Sequence, residues 1–401
     1  MSAPTLSDSR AHTPRPPGAV PLEELTRQVL AVAGEHVART DEDAAFPVEA
    51  LEEMRRTRLL GLLVPAEYGG LDGDAGDMIR VSVALGRTDM SLAMIFAMHC
   101  QQVAAVVRHG RPALRERLLP LIAEGRRYLA SVTTESAKGG HLLSSEAKLR
   151  AADGELLVDR FAPIVTGGQY ADGFLVTMLA PGAASPTEVS LVYADRDQLT
   201  VEPAGGWDPL GMRASHSTPL RLTGRVPADQ VIGEDGGFRA IATATFAPLA
   251  HLGWSAAWLG TAAGALSRVL RLLRSPAGRG RADLDSELLL TRLSRARQRL
   301  ETVHALLERA RQTVVGTPDL SRPSVQLQLN SLKITAAEEC HRAVDDLVDA
   351  VGMRHGYLRG SPTRLEHALR DLRSAALNYS NDRLHLVDGK LALLDPEVRF
   401  A

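Results

Sequence analysis

The chain has 401 residues, 45 % of them apolar, with 46 basic against 48 acidic groups. Length and apolar content suffice for two or three packed modules with sizeable cores, whereas charges that nearly cancel exclude the basic face that nucleic acid or anionic lipid would need. The two cysteines, Cys100 and Cys340, stand far apart in helix-like stretches, which excludes a disulfide framework and a cysteine metal site.

Residues 1–20 carry Pro4, Pro14, Pro16 and Pro17, lack an apolar signal core and read as a disordered leader. No apolar run reaches the ~20 residues of a membrane helix, so a reducing cytoplasm is the expected location and no membrane partner is expected. From 21 to 127 the apolar residues fall at helical spacing, Leu22, Leu25, Val29 and Val32, then Val48, Leu51, Met54 and Leu59. Breaks at Gly69-Gly70, Gly73 and Gly110 divide this opening helical domain.

The period changes over 128–233. Short β-friendly runs, Leu129 to Thr133, Leu156 to Val158, Phe174 to Leu179, Val189 to Tyr193 and Leu220 to Leu222, alternate with Gly, Pro and Asp turns. They predict a small barrel or sandwich. Over 234–401 the helical period returns, with helices expected at Phe238 to Leu273, Asp283 to Val315, Ser324 to Val351 and Pro362 to Asn381. The second is dense in Arg and carries Leu288, Leu289, Leu293, Leu300 and Leu306 as a core stripe. Helices of this length bury their stripes against one another as a four-helix bundle.

Several motifs then fall in one order. Thr133-Thr134-Glu135 precedes Gly139-Gly140; Thr166-Gly167-Gly168 precedes Ala171-Asp172; Leu210-Gly211-Met212-Arg213-Ala214-Ser215 precedes Val226-Pro227 and Ile232-Gly233; Gly356-Tyr357, Pro362 and Arg370-Asp371 close the series. Over roughly 45 to 385 this order resembles the acyl-CoA dehydrogenase family. The resemblance implies an α+β fold made of an N-terminal helical domain, a middle β-barrel and a C-terminal four-helix bundle. It also implies FAD, with FMN as the alternative, held between barrel and bundle beside an acyl thioester of coenzyme A or a carrier protein. A homodimer or homotetramer through the bundle follows from the same likeness.

In that family a Glu takes the proton next to the thioester carbonyl while hydride passes to the flavin. Counting from Arg370-Asp371, the position of that Glu is Tyr379; the alternative position on the first bundle helix reads Ala250-His251. Both carboxylates are absent. His251, one step from that Glu position at Ala250, is therefore a candidate base, or takes the role of the family's Arg, or simply packs on the helix. Tyr379 is a poor base but a workable hydrogen-bond donor, or an aromatic that closes the slot. His99, on a helix whose family counterpart lines the slot, is a third candidate beside its reading as a core histidine.

For the cofactor, the likeness points to Thr133, Thr134 and Thr166 at the ring, and to Arg274, Arg279, Gly352 and Arg354 where the family's pyrophosphate contacts would fall, although an aromatic and a Gln of those motifs are missing. The lead expectation is an acyl-thioester oxidoreductase with an unusual base. A flavin-dependent monooxygenase on the same fold, using reduced flavin and O2, needs no carboxylate and stands second; a flavin-free binding module stands third. His141, His216 and His355 lack paired-ligand spacing, so no metal site is expected, and no nicotinamide motif opens a βαβ unit.

Overall fold

The structure, a computed structural model, describes residues 20–135, 142–276, 283–395 and 398. The expected leader up to residue 19, the pair Gly139-Gly140 and Arg279 lie outside the described residues.

Five helices open the fold: α1 (Leu22–Glu42), α2 (Val48–Arg56), α3 (Ala75–Gly86), α4 (Met90–His109) and α5 (Pro112–Ala123). Asp74 caps α3 by accepting from Asp77 N while Asp77 reaches back, and Asp89 caps α4 by accepting from Ser91 N at 2.8 Å. α4 is long and apolar enough, by length and composition, to cross a membrane, which corrects the expectation that no run reaches that length. Its apolar window is 89 % buried inside the protein: a helix with neighbours on all sides is apolar all round.

Among the described residues the β module forms two four-stranded sheets, ordered β1-β4-β5-β8 and β2-β3-β7-β6. The first holds β1 (Leu129–Val132), β4 (Gly173–Leu179), β5 (Val189–Asp195) and β8 (Val231–Ile232); the second holds β2 (Arg150–Ala152), β3 (Glu155–Ala162), β6 (Leu199–Pro203) and β7 (Leu220–Pro227). β1 and β4 run parallel, and the other pairs are antiparallel. The sheets join where Leu149 N donates to Leu179 O at 3.0 Å and Leu179 N to Ala147 O at 2.7 Å. β2, β6 and β8 escape the sequence pattern because they are short or half exposed.

After β8, α6 (Phe238–Ile241) passes through a π-helical segment, Ala242–Phe246, into α7 (Ala247–Arg274), followed by α8 (Glu287–Gly316) and α9 (Pro323–Gly352). In α8 the buried positions Leu289, Ala296, Leu300, Val303, Leu307, Ala310 and Val314 keep a three-four spacing, the seam of a bundle helix. Leu288, expected in that stripe, is exposed. α3 and α7 meet at glycine: a Cβ on Gly86 would stand 2.4 Å from Ala257 O, and one on Gly260 would stand 2.3 Å from Val83 O.

The last expected helix is interrupted. α10 (Leu365–Arg373) stops, residues 374–380 turn, and α11 (Asn381–Ala392) begins. Tyr379 sits in that turn with φ of 50°, in the left-handed region that a bulky residue seldom occupies. A helical period by itself does not reveal such a break, because the apolar spacing on both sides is the same.

Candidate functional site

His251, Trp254, Ser255 and Trp258 recur along α7 at a spacing that places them on one face. The turn after α10 brings Tyr379 to the same face, with its ring centroid 6.3 Å from that of His251 at 54° between the planes. Trp254 lies 6.2 Å from His251, edge to face, and Trp258 lies 6.4 Å from Trp254. Tyr379, at one of the family's two places for a carboxylate, and His251, one residue after the other place at Ala250, are 128 residues apart in sequence yet adjoin in space.

The electrostatics of this face follow from burial. His251 is almost wholly buried, and desolvation, aided by the nearby Lys333 charge and opposed by a hydrogen bond with Asn330, pulls its pKa down to about 3. The ring is neutral at physiological pH. Lys333, on α9, is itself pulled down to about 7 by burial, with Glu338 opposing. Burial pushes the Tyr379 phenol up, so it stays protonated, with Arg383 opposing. His251 Nδ1, Trp254 Nε1, Ser255 Oγ and Trp258 Nε1 are buried polar atoms with no hydrogen-bond partner. Unmet donors and acceptors of this kind cost about 1–3 kcal/mol each, and four of them lie on one helix face.

On the β side, Thr133 and Thr134 leave the end of β1 in a loop held by Arg160 of β3. Arg160 is 2 % exposed, donates to Thr134 O at 2.8 Å and pairs with Glu135 at 3.1 Å. Thr134 Oγ1 donates to Ile164 O at 2.9 Å. Thr166 Oγ1 meets Ser217 Oγ at 3.0 Å, and Ser217 Oγ meets Ser215 Oγ at 2.8 Å, an uncharged chain of hydroxyls. Residues 211–217 tie this chain to the bundle: Met212 N donates to Asp371 Oδ1 at 2.7 Å. One short segment therefore touches both the Thr166 hydroxyls and the helix that leads to Tyr379.

The remaining sequence candidates fall elsewhere. His99 is fully buried; its Nδ1 accepts from Leu129 N at 3.0 Å and its Nε2 donates to Leu60 O at 2.9 Å. With both nitrogens committed to main chain and a pKa pulled down to about 4 by burial, it is a core histidine that clamps α4 to β1, and its catalytic reading is corrected. Arg274, Gly352 and Arg354 are exposed, and a Cβ on Gly352, whose φ is 66°, meets nothing. Asp41, His367 and Asp371 lie close enough to hold a metal ion, yet Asp41 already pairs with Arg370 at 2.6 Å and His367 with Asp371 at 3.2 Å.

Sequence reading missed Trp254, Trp258, Asn330 and Lys333. Lys333 did leave a trace: a lone charge between Leu332 and Ile334, in the buried phase of α9.

An opening helical module, a double sheet and a long-helix bundle, with His251 and Tyr379 side by side, define the fold of a flavoprotein dehydrogenase family. The acyl-CoA dehydrogenase N-terminal domain profile matches residues 22–126 and the acyl-CoA dehydrogenase C-terminal domain profile matches residues 235–377. The chain belongs to the acyl-CoA dehydrogenase superfamily. It is similar to the acryloyl-CoA reductase (NADH) of Anaerotignum propionicum, 22 % identical over 91 % of this chain and 92 % of the relative. It is 26 % identical to the dibenzothiophene monooxygenase of Mycolicibacterium goodii over 68 % of this chain and 67 % of that one. The structure of FMN-bound TdsC from Paenibacillus sp. A11-2 superposes with a TM-score of 0.82 at 21 % identity, covering 95 % of this chain and 98 % of that one.

Proposed function

We propose that this protein is a flavin-dependent monooxygenase on the acyl-CoA dehydrogenase fold. The observation that carries the reading is the His251–Tyr379 pair. An α-proton of a thioester needs an acceptor whose pKa approaches the working pH; a histidine lowered to about 3 and a phenol raised above its ordinary value are both far from it. What the pair does supply is a protonated phenol that can donate to an oxygen atom, beside a neutral imidazole whose Nδ1 has no partner.

The donor set fits a flavin. Thr133, Thr134 and Thr166 offer main-chain and hydroxyl groups without adding charge, and the four unmet polar atoms on α7 offer hydrogen bonds to a ring or to a substrate beside it. Arg274 and Arg354 would meet the phosphate end, the cofactor being FAD or FMN. When bound, the flavin supplies the two-electron chemistry and the reaction with dioxygen. The chain's own part is to exclude water from the α7 face through Trp254 and Trp258, to keep Tyr379 protonated and to hold His251 neutral. Similarity to the dibenzothiophene monooxygenase and to TdsC supports this reading.

A second reading, oxidation or reduction of an acyl thioester carried by coenzyme A or a carrier protein, is supported by the likeness to acryloyl-CoA reductase over nearly the whole chain. The homodimer or homotetramer finds support in exposed apolar residues of the bundle, Leu288 and Leu290 on α8 and Leu386 on α11. Location in the cytoplasm is part of the same proposal. The test supplies reduced FMN or FAD, 18O2 and an aromatic heterocycle such as dibenzothiophene, and in parallel adds acyl thioesters to oxidised holoprotein without air. Labelled product with no bleaching supports the oxygenase; bleaching by a thioester supports the second reading; neither labelled product with reduced flavin supplied nor bleaching by any thioester refutes both.

A further inference from the structure

Lys333 has no exposed surface, and its ammonium has three protons with three acceptors. Nζ donates to Ala375 O at 3.1 Å, to Tyr379 O at 3.0 Å and to Asn381 Oδ1 at 2.7 Å. The ring of Trp258 covers another side at 5.6 Å. All three acceptors belong to the turn between α10 and α11 or to the first residue of α11. None is a carboxylate, so the charge is solvated but not neutralised. Burying an ammonium is costly unless each proton is met, and here the cost falls on one small segment, the one that carries Tyr379 in its left-handed conformation. Such a conformation persists where the surroundings over-determine it.

We infer that Lys333 is a positioning residue: its amino group pins the Ala375–Asn381 turn and so fixes the Tyr379 ring against His251. The part about Tyr379 and His251 rests on the reading of that pair as the reacting face; the pin itself is a property of the fold. The groups around the Lys333 amino group are His251 and Trp258 from α7, Glu338 from α9, the main chain of Ala375 and Tyr379 from the turn, and Asn381 from α11. Glu338 is shared, accepting from Asn381 Nδ2 at 3.3 Å and pairing with Arg342 at 3.1 Å. Asp388 accepts from Asn330 Nδ2 at 2.6 Å. The amide of Asn330 therefore stands between Asp388 and the imidazole.

The experiment is amide hydrogen exchange on the full-length protein, read peptide by peptide, for wild type, Lys333→Met, Lys333→Arg and Asn381→Ala, with turnover measured in parallel. In Lys333→Met, exchange across 374–381 should accelerate by about tenfold or more while the buried seam of α8 is unchanged. Lys333→Arg, which keeps the charge, should restore part of that protection and part of kcat. Asn381→Ala leaves the ammonium in place and removes its shortest contact, so a smaller acceleration in the same peptide is expected, and it decides the matter if Lys333→Met does not fold. Unchanged exchange in 374–381 in both Lys333→Met and Asn381→Ala, or acceleration spread evenly over the bundle, overturns the pin. If the turn loosens as expected but neither oxygenation nor thioester chemistry is ever detected, the functional reading falls and the pin stands.

Discussion

Acid should destabilise this protein through its buried histidines, and His251 gives a measurable share. In the folded state its pKa is about 3, against about 6.5 in an unfolded chain. Because the folded value is depressed, the unfolded state binds the extra proton, and stability is lost as pH falls below about 6.5. Between pH 7.5 and pH 5.5 the unfolded form gains about 1.4 kcal/mol from this one group, while the folded ring stays neutral. His99, depressed to about 4, acts in the same direction by about the same amount. His367 opposes them. Its pKa is raised by Asp371, Asp41 and Asp89 against the pull of burial, so its contribution is fully present below about 6.5 and is lost as pH rises through the folded value.

The comparison that isolates His251 is urea unfolding of wild type and His251→Asn at both pH values, read by tryptophan emission, since Trp254 and Trp258 stand on the same helix face. The drop in stability from pH 7.5 to 5.5 should be smaller in the variant by about 1.4 kcal/mol, a sizeable part of an ordinary domain's 5–15 kcal/mol. Equal drops would mean that the folded imidazole takes up a proton in this range. The neutral His251 on which the oxygenase proposal leans would then be refuted.

Tyr379→Phe removes the only proton the phenol can donate and should lower kcat by about tenfold to a hundredfold with the melting temperature nearly unchanged, measured by turnover beside a thermal scan. Tyr379→Glu places a carboxylate where the family resemblance expects one, and bleaching of bound flavin by an acyl thioester should appear or increase. Gly211→Ala would put a Cβ 2.1 Å from Arg370 O, main chain that cannot step aside; a loss of at least about 3 kcal/mol, seen as a lowered melting temperature, is expected. Thr166→Val breaks the hydroxyl chain to Ser217 and should weaken flavin binding by about 1 kcal/mol, roughly fivefold in Kd, read by flavin fluorescence titration.

The order helices, sheets, helices was legible in the sequence because each period leaves a local mark: three-four spacing in α8, alternation in β3 and β7, glycine and proline between them. The vacancy of both carboxylate positions was legible too, since it needed only the identities of Ala250 and Tyr379. What only the tertiary structure decided was adjacency and environment. His99, His251 and Lys333 each look like reactive groups on a helix, yet one is spent on the main chain of Leu60 and Leu129, one is left with a free nitrogen, and one is consumed in holding a turn. Which of these a side chain does depends on groups tens to hundreds of residues away, and on the loss of water around it, which moves a pKa by several units. A one-dimensional pattern records where an amino acid can be buried; it does not record what it meets there.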